Sequence, residues 1–230
     1  MTRFLLVAML ILLGPASVTA QSTASVLADS DIWSAHLLQR PVEVEGRDWL
    51  GLLLVDGESR LEPVAARWNG SVLFGDSVFE LDVTPELTPD AVPYLLLAEV
   101  PGIRAGDAPT VLETEASLWT EERRLEIALG DDSYELELSA SDPMLCDAAV
   151  TLTLGTATQT LYPPGNDAFS CDEPHFSVQW AGDLDGDGRL DLVTTFSPKY
   201  SYFPRRLWLS SAASAGELVG LVATTELAAA

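Results

Sequence analysis

Asp183, Asp185, Asp187 and Asp191 stand close together in the segment WAGDLDGDGRLDLV, which runs from Trp180 to Val193. Carboxylates at alternate positions suit a hard divalent cation, because Ca2+ takes roughly six to eight oxygen ligands at about 2.3–2.6 Å. Counted from Asp183, aspartates fill positions 1, 3, 5 and 9. Gly188 stands at position 6, where a residue free of a Cβ lets the chain turn sharply around an ion. Arg189, at position 7, then offers its backbone carbonyl while its side chain faces solvent, and Leu190 points into a core. Without a cation, the clustered carboxylates repel one another.

The pattern departs from an EF-hand, whose loop closes with a bidentate Glu at position 12; Thr194 stands there instead. Both flanks, FSVQWA and LDLVTTF, have the character of strands rather than helices. GDLDGDGRLDLV instead resembles the calcium loop of FG-GAP/VCBS-type repeats, in which D-x-[DN]-x-D-G-x-x-D lies between two strands. The resemblance implies that Asp183, Asp185, Asp187 and Asp191 bind Ca2+ through side chains and Arg189 through its carbonyl. It covers about twenty residues, Ser177 to Phe196, in a single copy with no Phe-Gly…Gly-Ala-Pro segment ahead of it. The loop is therefore carried over and the repeated propeller is not. More loosely, the C-terminal part looks like that of exported bacterial proteins, a likeness that implies compartment and architecture but no activity.

The elements that must position this loop read as strands. In LEIALGDDSYELELS, Leu125, Ile127 and Leu129 alternate with polar residues, Gly130-Asp131-Asp132 turns the chain, and Tyr134, Leu136 and Leu138 alternate on the way back. Period two on both sides of a Gly/Asp turn predicts a hairpin with one buried face. WLGLLLV, LEPVAARW, SVFELDV, YLLLAEV, AVTLTL, HFSVQWA, LDLVTTF, RLWLSS and LVGLVAT continue the series, and Asn69-Gly70 reads as a turn between two of them. Turn signals every eight to twelve residues predict an all-β fold, a sandwich or barrel-like set of antiparallel sheets with little helix. Ser30–Arg40 is the one short helix expected, stopped by Pro41, and SSAASAGELV has room for a helical turn. The proline-rich segment Thr84–Pro93 suits either a loop within one domain or a division of the 21–230 region.

Residues 1–20 read as a cleaved export signal: Arg3, the apolar run Phe4–Leu13, a Gly14-Pro15 break and small residues before Gln21. The apolar run is shorter than the roughly 20 residues that span a bilayer, so no transmembrane segment is expected in the mature chain. The expected location is periplasmic or extracellular. Cys146 and Cys171, the only cysteines, predict one disulfide in that compartment; the alternative is a metal site with His175. A net charge of −23 disfavours nucleic acid and anionic lipid as partners.

Catalytic motifs are sparse. His36 and His175 are the only histidines, and neither G-x-S-x-G, H-E-x-x-H nor a P-loop is present. Six tryptophans suit a sandwich core or a carbohydrate-binding surface, and SPKYSYFPRR (Ser197–Arg206) offers basic and aromatic residues for contact. The sequence thus reads as an exported, Ca2+-binding, non-enzymatic binding or envelope protein whose partner is a protein or a carbohydrate. The alternative is an exported hydrolase with a structural Ca2+.

Overall fold

The computed structural model describes residues 24–28, 43–73, 76–165 and 171–226, with backbone alone for 70–73 and 76–80. The expected export signal, the expected helix Ser30–Arg40, Trp33 and His36 lie outside these residues. In chain order the strands are β1 (Ser25–Ala28), β2 (Trp49–Val55), β3 (Glu58–Leu73), β4 (Asp76–Pro85) and β5 (Leu95–Ala98). Next come β6 (Gly106–Asp107), β7 (Thr110–Leu112), β8 (Ala116–Ser117), β9 (Arg124–Leu129), β10 (Asp132–Ser139), β11 (Ala149–Leu154) and β12 (Ala157–Tyr162). Last are β13 (His175–Gly182), β14 (Asp191–Ser197), β15 (Arg205–Leu209) and β16 (Gly220–Thr225). A single 3-10 turn, Ser210–Ala212, is the one helical element among the described residues.

These strands form three antiparallel sheets, so the all-β expectation holds. The first sheet has the order β1-β5-β2-β3-β4, with β6 added to β3. The second has the order β16-β15-β14-β13-β7, with β8 beside β13. The third is the meander β12-β11-β10-β9. The second sheet is the middle layer. Phe176, Leu192, Phe196 and Trp208 on one of its faces pack on Leu136, Val150, Leu152 and Leu161 of the meander. Trp180, Val193, Leu207 and Leu209 on the other face pack on Val26, Leu52, Leu61 and Leu95 of the first sheet. Tyr162 meets Phe176 edge to face at 5.5 Å across the first of these interfaces, an arrangement aromatic pairs favour.

This layering explains the sequence pattern. The hairpin β9–β10 forms as expected, Leu129 pairing with Asp132, and Ile127, Leu129, Tyr134, Leu136 and Leu138 face the core. By contrast every residue of β14 is buried, because both faces of the middle sheet are covered, so LDLVTTF cannot alternate cleanly. One expectation fails. Asn69-Gly70 is not a turn: β3 continues through it, with Asn69 opposite Glu80 and Gly70 opposite Phe79, and the ladder runs on to Leu73, which pairs with Asp76. A ladder ten pairs long fixes that register more firmly than one turn-prone dipeptide can. Thr84–Pro93 leads from β4 to β5, two strands of the same sheet. Cys146 and Cys171 are bonded, with Cα atoms 5.5 Å apart, and the disulfide ties the approach to β13 to the loop between β10 and β11. No described helix is long and apolar enough to cross a membrane.

Candidate metal centre

The aspartate segment joins β13 to β14, two strands buried almost throughout, and its ends are held rigidly. The register of β13 against β14 shifts between Val178 and Trp180. Val178 and Ala181 therefore face the meander while Trp180 faces the first sheet. Such a bulge re-aims a side chain at the edge of a site. The indole Nε1 of Trp180 donates to Thr110 Oγ1 at 3.1 Å. A Cβ on Gly182 would stand 2.3 Å from the Pro109 carbonyl oxygen and 2.6 Å from the Trp180 ring, so only glycine fits there. Asp183 N then donates to the same Pro109 carbonyl at 2.8 Å and fixes the start of the loop.

Within the loop the carboxylates turn inward onto the backbone. Asp183 Oδ1 accepts from Gly186 N at 2.8 Å and Asp187 N at 3.1 Å, and its Oδ2 accepts from Gly188 N at 2.9 Å. Asp185 Oδ1 accepts from Asp187 N at 3.2 Å, and Asp187 Oδ1 from Arg189 N at 2.8 Å. Gly186 and Gly188 have φ of +78° and +77°, while nothing lies within 4 Å of a Cβ built on either. Glycine is required at these two positions by backbone conformation, not by crowding. Leu190 is buried in the core shared with the meander, as expected. The Arg189 side chain is exposed and reaches the Leu218 carbonyl at 3.4 Å.

Asp183, Asp185 and Asp187 each present one carboxylate oxygen, all within 4.8 Å of one another. Oxygens bound to one ion at about 2.4 Å cannot be more than about 4.8 Å apart, so the three can share a cation. Exposure rises along the series, from buried Asp183 to half-buried Asp185 to exposed Asp187, leaving one side open to solvent. The donors are all hard oxygens, which fits Ca2+ or Mg2+ and not a thiophilic metal.

Asp191 has a different environment. It is fully buried, its Oδ2 accepts from Leu184 N at 2.8 Å, and its Oδ1 accepts from Ser210 N at 2.8 Å and Ser210 Oγ at 3.2 Å. Burial pushes its carboxyl up to about 7, against the lowering effect of these hydrogen bonds. Ser210 Oγ also donates to Asp187 Oδ2 at 2.8 Å, and Ser211 Oγ donates to Asp185 Oδ2. The 3-10 turn after β15 therefore braces the loop from outside. Sequence reading allowed a helical turn here but gave Ser210 and Ser211 no role, because hydroxyls in a run of small residues carry no specific signal.

The remaining candidates are structural. Cys171 is in the disulfide, so no Cys171–His175 metal site exists. His175 Nε2 lies 2.9 Å from both Ser177 Oγ and Glu115 Oε1. A relay needs the acid and the nucleophile on different ring nitrogens, and Ser177 is fully buried. Trp49, Trp68, Trp180 and Trp208 are core residues, whereas Trp119 is exposed. Arg205 and Arg206 turn inward to Thr195 Oγ1 and the Phe196 carbonyl, so these two basic residues of Ser197–Arg206 do not form a surface patch, whereas Lys199 is half-buried and Tyr200 exposed. No family model, curated protein or solved structure matches the chain.

Proposed function

We propose that this is an exported protein holding one structural Ca2+ between Asp183, Asp185 and Asp187, with Asp191 and the Arg189 carbonyl completing the set that the FG-GAP/VCBS-type loop implies. The observation carrying the reading is the convergence of three carboxylate oxygens within 4.8 Å at the tip of a rigid hairpin. The disulfide and the apolar run Phe4–Leu13 behind Arg3 support export to the periplasm or beyond. The non-enzymatic reading takes precedence over a hydrolase, because the Glu115–His175–Ser177 cluster lacks a relay and an accessible nucleophile.

Extracellular calcium modules have dissociation constants of about 10⁻⁴–10⁻³ M. At about 1 mM free calcium and a constant of about 0.1 mM, the ion adds roughly 1.4 kcal/mol. That suffices to order a loop and is too little for a sensor of small calcium changes. Thermal melts of the mature, oxidised protein in EDTA and then in rising calcium test this, alongside Asp187→Ala. A melting temperature that rises with millimolar calcium in the native protein and stays flat in the variant is expected. No calcium dependence in either protein defeats the assignment.

A further inference from the structure

A concave site lined by residues of the first sheet and its connections includes no residue of the aspartate loop. It is a half-open cleft of about 710 Å3, set where residues 99–105 cross from β5 toward β6 and flanked by Asp48 before β2 and Glu86 after β4. This falls within the roughly 300–1,000 Å3 typical of small-ligand pockets. Its floor is apolar. Leu97 and Val100 belong to the core between the first and middle sheets, and the partly buried Leu50 and Ile103 pack against that core.

The charges around this floor divide into two groups. Arg47 is committed: its Nε lies 3.4 Å from Glu99 Oε1, its Nη1 donates to Ser25 Oγ at 2.9 Å, and its guanidinium sits 5.2 Å from the Trp49 ring centroid. Arg104, Asp48 and Glu86 are exposed, and their side chains have no ion pair or hydrogen bond among the described residues. Unspent charges of both signs around an apolar floor complement a ligand that carries an ammonium, a carboxylate and hydrocarbon. Glu99 has a φ of +56°, a left-handed conformation that is costly for a residue with a Cβ, and its pairing with Arg47 helps hold it.

We propose that this cleft binds a short apolar peptide with free termini, the carboxylate on Arg104 and the ammonium on Glu86 and Asp48. The proposal rests on the reading of the chain as a binding protein and gives that reading a ligand class. It does not require the calcium loop.

Calorimetric titration of the mature, oxidised protein with the tripeptide Leu-Ala-Leu tests it, in EDTA and in calcium. Saturable binding is expected in both, and unchanged in Asp187→Ala, so a failure of the metal assignment stays separate. Amidating the C-terminus or acetylating the N-terminus should each weaken binding about tenfold, the effect of losing one charge-assisted hydrogen bond. Arg104→Gln should abolish the difference between acid and amide, and Glu86→Gln should reduce that between amine and acetyl. Both side chains are exposed, so neither variant should disturb folding. No heat of binding at millimolar tripeptide overturns the proposal. So does equal affinity for blocked and free peptides, or octanoate binding as tightly as the tripeptide.

Discussion

The hairpin β9–β10 reverses at Gly130 and Asp131: Leu129 pairs with Asp132, Gly130 takes φ +59°, and the Asp131 and Asp132 side chains are exposed. The hairpin β13–β14 reverses over residues 183–190, between the last pair, Gly182 and Asp191, and places Asp183 and Asp191 in the interior. Both turns use aspartate and glycine. The first closes an outer sheet, where polar groups at the turn are hydrated at no cost. The second closes the middle sheet with a loop whose tip, Gly186 to Gly188, is exposed, yet its backbone N–H groups have acceptors other than water. Asp183 supplies them for Gly186, Asp187 and Gly188. What separates a candidate site from an acidic turn is therefore the inward direction of the carboxylates, not their number.

The sharpest way to break this comparison is Asp183→Ala against Asp131→Ala, measured by urea unfolding in EDTA. Losing an acceptor for three backbone donors should cost roughly 2–4 kcal/mol, while the exposed substitution should stay within about 0.5 kcal/mol. A gain in stability for Asp183→Ala would mean that carboxylate repulsion outweighs the hydrogen bonds when no cation is present. Next in size is Gly188→Ala against Gly130→Ala. Both glycines have positive φ, +77° and +59°, so in EDTA each substitution should cost about 1–2 kcal/mol. In millimolar calcium the two should diverge, because Gly188→Ala also distorts the ligand loop. Equal losses in both buffers would leave Gly188 as a turn residue only.

Where one face of a strand is buried, the sequence was readable: Leu125 to Leu138 alternate, and the hairpin followed. Where both faces are buried, as in β14, apolar and hydroxyl residues mix and only the strand itself was legible. The loop was legible because its signal is local, with aspartates and Gly188 at fixed offsets. Its bracing was not, since Ser210 and Ser211 reach it from beyond β15. Gln159 shows the same limit. Its side-chain amide accepts from Leu218 N at 2.7 Å and donates to Val219 O at 2.8 Å, joining the meander to the approach to β16. Nothing near Gln159 in sequence announces that contact. Asn69-Gly70 misled in the other direction, a strong local turn signal overruled by a long ladder.

Glu115 gives a third setting for a carboxylate, paired to a side chain rather than to backbone or water, and the smallest predicted effect. Its hydrogen bond with His175 holds the carboxyl down to about 2 from the usual 4.5, with Ser177 and Gln179 contributing in the same direction and burial opposing them. A depressed acid stabilises the fold above its unfolded value and loses that contribution as pH falls through its folded value. The pairing should therefore be intact above about pH 4.5 and fade between about 4.5 and 2. The side chain is 39% exposed, so solvent screens the pair and its contribution should be well below that of Asp183. In Glu115→Gln, stability measured by urea melts should fall less steeply across that window than in the native protein. An unchanged acid limb would mean that the Glu115–His175 contact contributes nothing in solution, and that a carboxylate paired to a half-exposed side chain does not stabilise the fold as the inward-turned aspartates do.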